Sequence, residues 1–252
     1  MDRYARVEEM RASLLMLTWE RFEITQRVLT RNLARTSIDY ELLVCDQGSK
    51  DKRVIEMVDS FLPNYFRKNS KNEGCGKAFN QLFLRCTGDY IVLLGNDIEL
   101  PEKWLEIAIG YLDLIPNSGL ASFNWGHDGV PPVSTKFGIK AHHLNGHLNR
   151  CFGVTVFRRE LIRQIGLFHE GFGPYGLEDS DLNERANMAG FNSFYVPNMM
   201  SEHLVHDVGE NSDYRRMKDE SMGNNLTIFS ARCQGFHEKG VREPLPAMRD
   251  SL

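Results

Sequence analysis

The sequence predicts an α/β protein built on a doubly wound, mostly parallel sheet. Three observations carry this. Apolar strands and amphipathic helices alternate four times within about 115 residues, the pattern of right-handed βαβ crossovers. Tyr90-Ile91-Val92-Leu93-Leu94 is a run of five apolar residues, which a strand covered on both faces requires. That run then stops at Gly95-Asn96 and delivers Asp97 and Glu99 to the carboxyl end of the strand, where open α/β sheets bind their ligands.

The elements follow in order. Residues 13–18 (Ser-Leu-Leu-Met-Leu-Thr) read as the first buried strand. A helix from about Arg21 places Ile24, Val28, Leu29 and Leu33 on one face. Residues 40–45 form the second strand, and Asp46-Gln47-Gly48-Ser49-Lys50-Asp51 supplies turn residues. The next helix carries Val54, Met57, Val58 and Phe61 inward and ends at Pro63. A short strand at 65–68 leads through Asn72-Glu73-Gly74 to a helix with Phe79, Leu82, Phe83 and Cys86 on its inner face. After strand 90–94, Pro101 suits the first turn of a helix whose buried stripe is Leu105, Ala108, Ile109 and Leu112.

Beyond Pro116 the period weakens. Leu120–Phe123 reads as a strand, and residues 124–150 as a long functional loop holding His127, His142, His143 and His147. Phe152–Phe157 is a strand and Arg159–Ile165 a short helix. Gly171-Phe172-Gly173-Pro174-Tyr175-Gly176 is a flexible aromatic loop before a helix that buries Leu182, Ala186 and Ala189 and closes at Gly190. Phe194–Val196 and Met199–Val205 are the last strands. The tail from Ser212 gives one helix and an extended end. One domain spans 1–252, with a ligand-binding half (12–115), a second half (116–210) and a tail (211–252).

Composition narrows the function. A net charge of −4 gives no general reason to bind nucleic acid or anionic membrane. Five scattered cysteines without CxxC spacing fit reduced thiols, and no stretch approaches the ~18 apolar residues of a membrane span. A cytoplasmic protein is expected.

Acids at the ends of neighbouring parallel strands, Asp46 and Asp97, converge on one crevice. Such carboxylates suit a divalent cation shared with a phosphorylated ligand. Asp46 is also suited to an Asx-turn within its own loop.

Four segments together resemble glycosyltransferase family 2. Leu42 to Asp51 is similar to the DxGSxD signature, and Asn72-Glu73-Gly74 with Asn80 to the NxG…N segment. Gly88 to Leu100 resembles the strand that ends in the family's DxD motif, and Gly176 to Leu182 its GxEDxD segment. The order is right and the likeness spans about residues 12–210. The resemblance implies a GT-A fold with a small acceptor-side extension, a nucleotide-diphosphate sugar donor (UDP favoured) and Mn²⁺ or Mg²⁺. Gly95-Asn96-Asp97 keeps only the last acid of DxD, and Thr18-Trp19-Glu20-Arg21 lacks the usual Asn after the first strand.

Carried over residue by residue, the resemblance makes Asp179 the general base, with Glu178 beside it, and Asp97 and His206 the metal ligands. His206 matches the family's histidine better than His203. Asp46, Asn96, Thr18, Glu20 and Lys77 would line the nucleotide and phosphates. The expected activity is metal-dependent, inverting transfer to a hydroxyl acceptor, whether glycan, protein or modified nucleic acid. The alternatives are an inactive sugar-nucleotide-binding module and a transferase acting on nucleic-acid bases. A nucleotidyltransferase would want a Gly-rich basic loop after the first strand, which Thr18-Trp19-Glu20-Arg21 is not.

Overall fold

The computed structural model describes residues 11–124, 132–134, 140–143, 153–204 and 212–240. In chain order the elements are β1 (Arg11–Thr18), α1 (Phe22–Ala34), β2 (Asp39–Asp46), α2 (Lys52–Ser60), β3 (Tyr65–Lys68), α3 (Cys75–Phe83), β4 (Tyr90–Leu94), β5 (Ile98–Glu99) and α4 (Trp104–Leu114). Then come β6 (Ser118–Asn124), β7 (Pro132–Ser134), β8 (Lys140–His143), β9 (Val154–Arg158), α5 (Arg159–Ile165), α6 (Glu178–Met188), β10 (Asn192–Met200), β11 (Glu202–His203) and α7 (Ser212–Lys239).

The main sheet runs β3-β2-β1-β4-β9-β6-β10-β8-β7. Strands β3, β2, β1 and β4 are parallel neighbours, as are β6 and β10, whereas β9 is antiparallel to both β4 and β6. The alternation in the first half therefore holds, and the second half departs from pure winding through β9. The expected pair of strands at 194–205 is instead one nine-residue strand, β10, followed by β11.

Strand alternation explains why the sheet is buried on both sides. In β1, Leu14 and Met16 join the core beneath α1, α2 and α4, while Leu15 joins the opposite core beneath α3, α5 and α6. In β4, Tyr90, Val92 and Leu94 face the first core and Ile91 and Leu93 the second. Each such side chain contributes about 1.5–3 kcal/mol on burial.

Two expectations shift at the helix starts. Pro101 lies ahead of α4 rather than in its first turn, because Lys103 takes a left-handed conformation (φ 58°) at the N-cap. Cys86 follows α3 yet is still buried in the second core. α7 is a 28-residue helix whose Phe229 packs on Phe172 and Leu177 in a third, smaller cluster. Among the described residues, no helix is long and apolar enough to cross a membrane.

Candidate active site

The carboxyl ends of β1, β2 and β4 open onto one cleft of about 710 Å³, part of it open solvent. Thr18, Trp19 and Arg21 reach it from the end of β1, Asn96 and Asp97 from the end of β4, and Cys75 from the start of α3. Pro174, Tyr175 and, from α7, Met217 close the other side.

The loop after β2 is built around Asp46. Its buried carboxylate accepts from the Gly48 and Ser49 N–H groups (3.1 and 2.9 Å), the Ser49 hydroxyl (2.5 Å) and the Thr18 hydroxyl (3.1 Å). Gly48 is required there: φ is +82°, and a Cβ would stand 2.8 Å from the Lys71 backbone. Asp46 and Thr18 thus hold the loop in shape. Glu20 does likewise, since its carboxylate accepts from the N–H groups of Lys50 (2.8 Å) and Asp51 (3.2 Å). Lys77, expected near phosphates, pairs with Glu73 at 3.0 Å one helical turn away.

Asp97 is met by two side chains at the end of β4. Its Oδ2 lies 3.1 Å from Arg21 Nη1 and 3.4 Å from His203 Nε2. The small antiparallel ladder explains His203: Glu202 and His203 register with Glu99 and Ile98, and Leu204 N–H donates to the Asp97 carbonyl (2.9 Å). His206 lies outside the described residues, as do His127 and His147; the backbone of His142 and His143 forms part of β8. Asn96 donates to the Thr25 hydroxyl at 3.3 Å.

Glu99, the other acid after β4, does not face the cleft. Arg27, Arg31 and Arg35, one per turn of α1, reach its buried carboxylate at 2.9, 2.6 and 3.1 Å. Burial alone would raise this group. Hydrogen bonds from Arg31 and Arg27 outweigh that and hold it below the ordinary carboxylate value. Asn32, fully buried in α1, donates to Ile98 O (2.8 Å) and accepts from Leu100 N (2.9 Å). Together they fix the segment that presents Asp97, a role the apolar periodicity of α1 could not reveal.

Behind the cleft-lining Cys75 and Tyr175 lie Glu178 and Asp179 at the start of α6. Burial and the adjacent Glu178 charge push Asp179 well above the ordinary carboxylate value, although Ser180 N–H donates to it at 2.6 Å. Burial also raises Glu178, whose Oε2 is buried without a hydrogen-bond partner. The Cys75 thiol donates to Glu178 and is itself held well above its ordinary value by burial and by the two carboxylates. The Tyr175 hydroxyl is pushed up to about 12, first by burial and then by the charges of Glu178, Asp179, Cys75 and Asp97. A single cleft-lining side chain therefore feels Asp97 and the acids of α6 together.

Asp181 turns the other way, into the protein. Arg185 (2.8 Å) and Arg232 of α7 (2.6 Å) share its fully buried carboxylate, and Arg185 also donates to the carbonyls of Ile165 and Leu167. That network anchors α6. Asn80 ties α3 to the same region, donating to Phe168 O and Glu170 Oε1 and accepting from Phe168 N.

Residues 13–166 match the family described as Glycosyl transferase family 2, which is more than half of the chain. The chain belongs to glycosyl transferase family 2. A curated member, the uncharacterized glycosyltransferase YfnE of Bacillus subtilis (strain 168), is 21% identical over 78% of this chain; the chain spans 65% of that relative's length.

Solved structures share the family's GT-A architecture at low identity. A mannosyltransferase of Pyrobaculum calidifontis, in complex with GDP-Man and Mn²⁺, superposes with TM-score 0.62 at 16% identity, covering 92% of this chain and 71% of its own. S. aureus TarS 1-349 in complex with UDP-GlcNAc gives 0.59 at 17% identity, covering 91% and 76%. The family match ends at residue 166, so the acids of α6 and the contacts of α7 lie beyond it.

Proposed function

We propose that this family 2 domain is a metal-dependent, inverting glycosyltransferase that moves a sugar from a nucleotide-diphosphate donor, UDP favoured, to a hydroxyl acceptor. The observation that carries the reading is Tyr175, a cleft-lining residue whose hydroxyl lies within electrostatic reach of Asp97 and of Glu178 and Asp179. Acids grouped about one cleft-lining side chain suit a reaction with a charged leaving group and a proton to remove.

Asp97 and His203 would hold the cation. A carboxylate and an imidazole suit Mn²⁺ and are compatible with Mg²⁺. Among the described residues no group of three His, Cys, Asp or Glu could hold a metal; His206, which the family resemblance makes a ligand, lies outside them, and donor phosphate and water would fill the other positions. When bound, the cation would stabilise the charge that grows on the leaving diphosphate.

Asp179 would take the proton of the acceptor hydroxyl as its oxygen bonds to the anomeric carbon. The bond from that carbon to the diphosphate oxygen breaks, and the oxygen keeps the electron pair. Attack opposite the leaving group inverts the centre. Glu178 would keep the pKa of Asp179 high, and Asp46, Thr18 and Glu20 would shape the nucleoside side through their loop. The acceptor is a hydroxyl of glycan, protein or modified nucleic acid.

The test is a panel of UDP- and GDP-sugars with Mn²⁺ or Mg²⁺, with donor turnover compared between wild type and Asp179→Asn. We expect turnover with at least one donor and a drop of about 10²–10⁴ in the variant, the usual contribution of a general base, with donor affinity retained. Two equally silent proteins that still bind donor would instead identify an inactive sugar-nucleotide-binding module.

A further inference from the structure

We propose that Arg21 is a diphosphate-binding residue that rests on Asp97 until a donor arrives, so that cation and nucleotide enter this site together and the cation alone is held off. The proposal rests on the reading of the cleft as a nucleotide-sugar site. Arg21 Nη1 is 3.1 Å from Asp97 Oδ2, the same oxygen that lies 3.4 Å from His203 Nε2. Of the two donor groups that the described residues bring together here, one is therefore already serving a guanidinium. The neighbouring Asn96, also in the cleft lining, is neutral and donates to the Thr25 hydroxyl, so it adds no charge to attract a cation. A cation arriving alone meets a neutralised Asp97.

A diphosphate changes that balance. Among the described residues lining the cleft, Arg21 is the single lysine or arginine, and a guanidinium fork matches two phosphate oxygens. The nucleotide would draw Arg21 off Asp97 and supply the cation with its missing oxygen ligands. The root of the side chain is fixed for this movement. Glu20 and Arg21 both adopt left-handed backbone (φ 55° and 58°), and Glu20 clamps the turn by accepting from Lys50 and Asp51 N–H while its own N–H donates to Ser49 Oγ. Strained backbone that its surroundings hold in place is a recurrent feature of ligand clamps. The Arg21 side chain is 26% exposed and lines the cleft.

The experiment measures Mn²⁺ binding by electron paramagnetic resonance of the free ion and nucleotide binding by calorimetry. The ligands are uridine, guanosine, UDP and GDP, and the proteins are wild type, Arg21→Gly and Arg21→Lys. Glycine accepts the left-handed backbone, so Arg21→Gly keeps the turn. In Arg21→Gly, Mn²⁺ alone should bind about two- to fivefold tighter, the size of a partly exposed ion pair removed. The diphosphate at saturating Mn²⁺ should bind about tenfold weaker or more, the loss of a charge-assisted hydrogen bond. Nucleoside affinity should not change, and Arg21→Lys should recover part of the diphosphate affinity.

Unchanged Mn²⁺ and diphosphate affinities in Arg21→Gly would overturn the proposal. So would equal losses for nucleoside and diphosphate, which would give Arg21 a merely structural role in the turn. A wild type that binds neither UDP nor GDP with either cation removes the functional reading itself, and this inference with it.

Discussion

Asp179 and Glu178 show how two neighbouring residues set a reactivity that neither has alone. Burial disfavours both charges, and the Glu178 charge raises Asp179 further. An acid raised in this way is a better base near neutral pH than an ordinary carboxylate. It must first lose its proton, so the rate of transfer should climb as pH rises through its raised value, with an acidic limb above the usual carboxylate range. Glu178→Gln removes the like charge and should move that limb to lower pH, which a kcat/KM profile would read directly. The sign for stability is opposite. Groups raised in the folded state contribute most below their unfolded values and lose that contribution as pH rises through the folded ones. Glu178→Gln should therefore raise the melting temperature at about pH 8 more than at about pH 5.

At the scale of elements, α7 matters more than its mixed composition suggests. Asn225, fully buried, accepts from Gly173 N–H (2.7 Å) and donates to the carbonyls of Tyr175 (2.9 Å) and Gly176 (2.7 Å). It thereby fixes the loop that carries Tyr175 and starts α6. Asn225→Ala leaves those backbone groups unpaired and should cost about 1–3 kcal/mol of stability, the penalty for such groups. It should also lower kcat more than it raises the donor KM, because the loop serves the acids rather than the nucleotide. Calorimetric unfolding and steady-state kinetics would measure both.

The same elements show what the sequence made legible. The five apolar residues of β4 and the helical stripes announced themselves through periodicity, which depends on burial alone. The direction of β9 did not, since an antiparallel strand covered on both faces carries the same apolar run as a parallel one. The place of Asp97 beside a strand end could be read, but the partner His203 could not: it is set by two residue pairs of a ladder between segments a hundred positions apart. The choice of Glu99 by three arginines had a visible signal in the spacing of Arg27, Arg31 and Arg35, which an apolar stripe draws attention away from.

The whole molecule joins a continuous hydrophobic sheet to a polar cleft at one of its ends, so ligand binding and global stability are linked. The cleft walls come from β1, β4, α3 and α7 and from the loop before α6, which span nearly the entire described chain. Unfolding any of them dismantles the site, and the unfolded chain has no cleft to offer a nucleotide. A donor present at 100 times its Kd should then stabilise the fold by about 2.7 kcal/mol. For a domain of this size each kcal/mol moves the melting temperature by about 2–4 °C. The expected rise is about 5–11 °C, read by thermal unfolding with the donor and Mn²⁺ together. Mn²⁺ without nucleotide should give a much smaller shift, because Asp97 already holds Arg21. An equal shift from Mn²⁺ alone would mean that the cation needs no diphosphate to complete its ligand set and that the Arg21 pair does not hold it off.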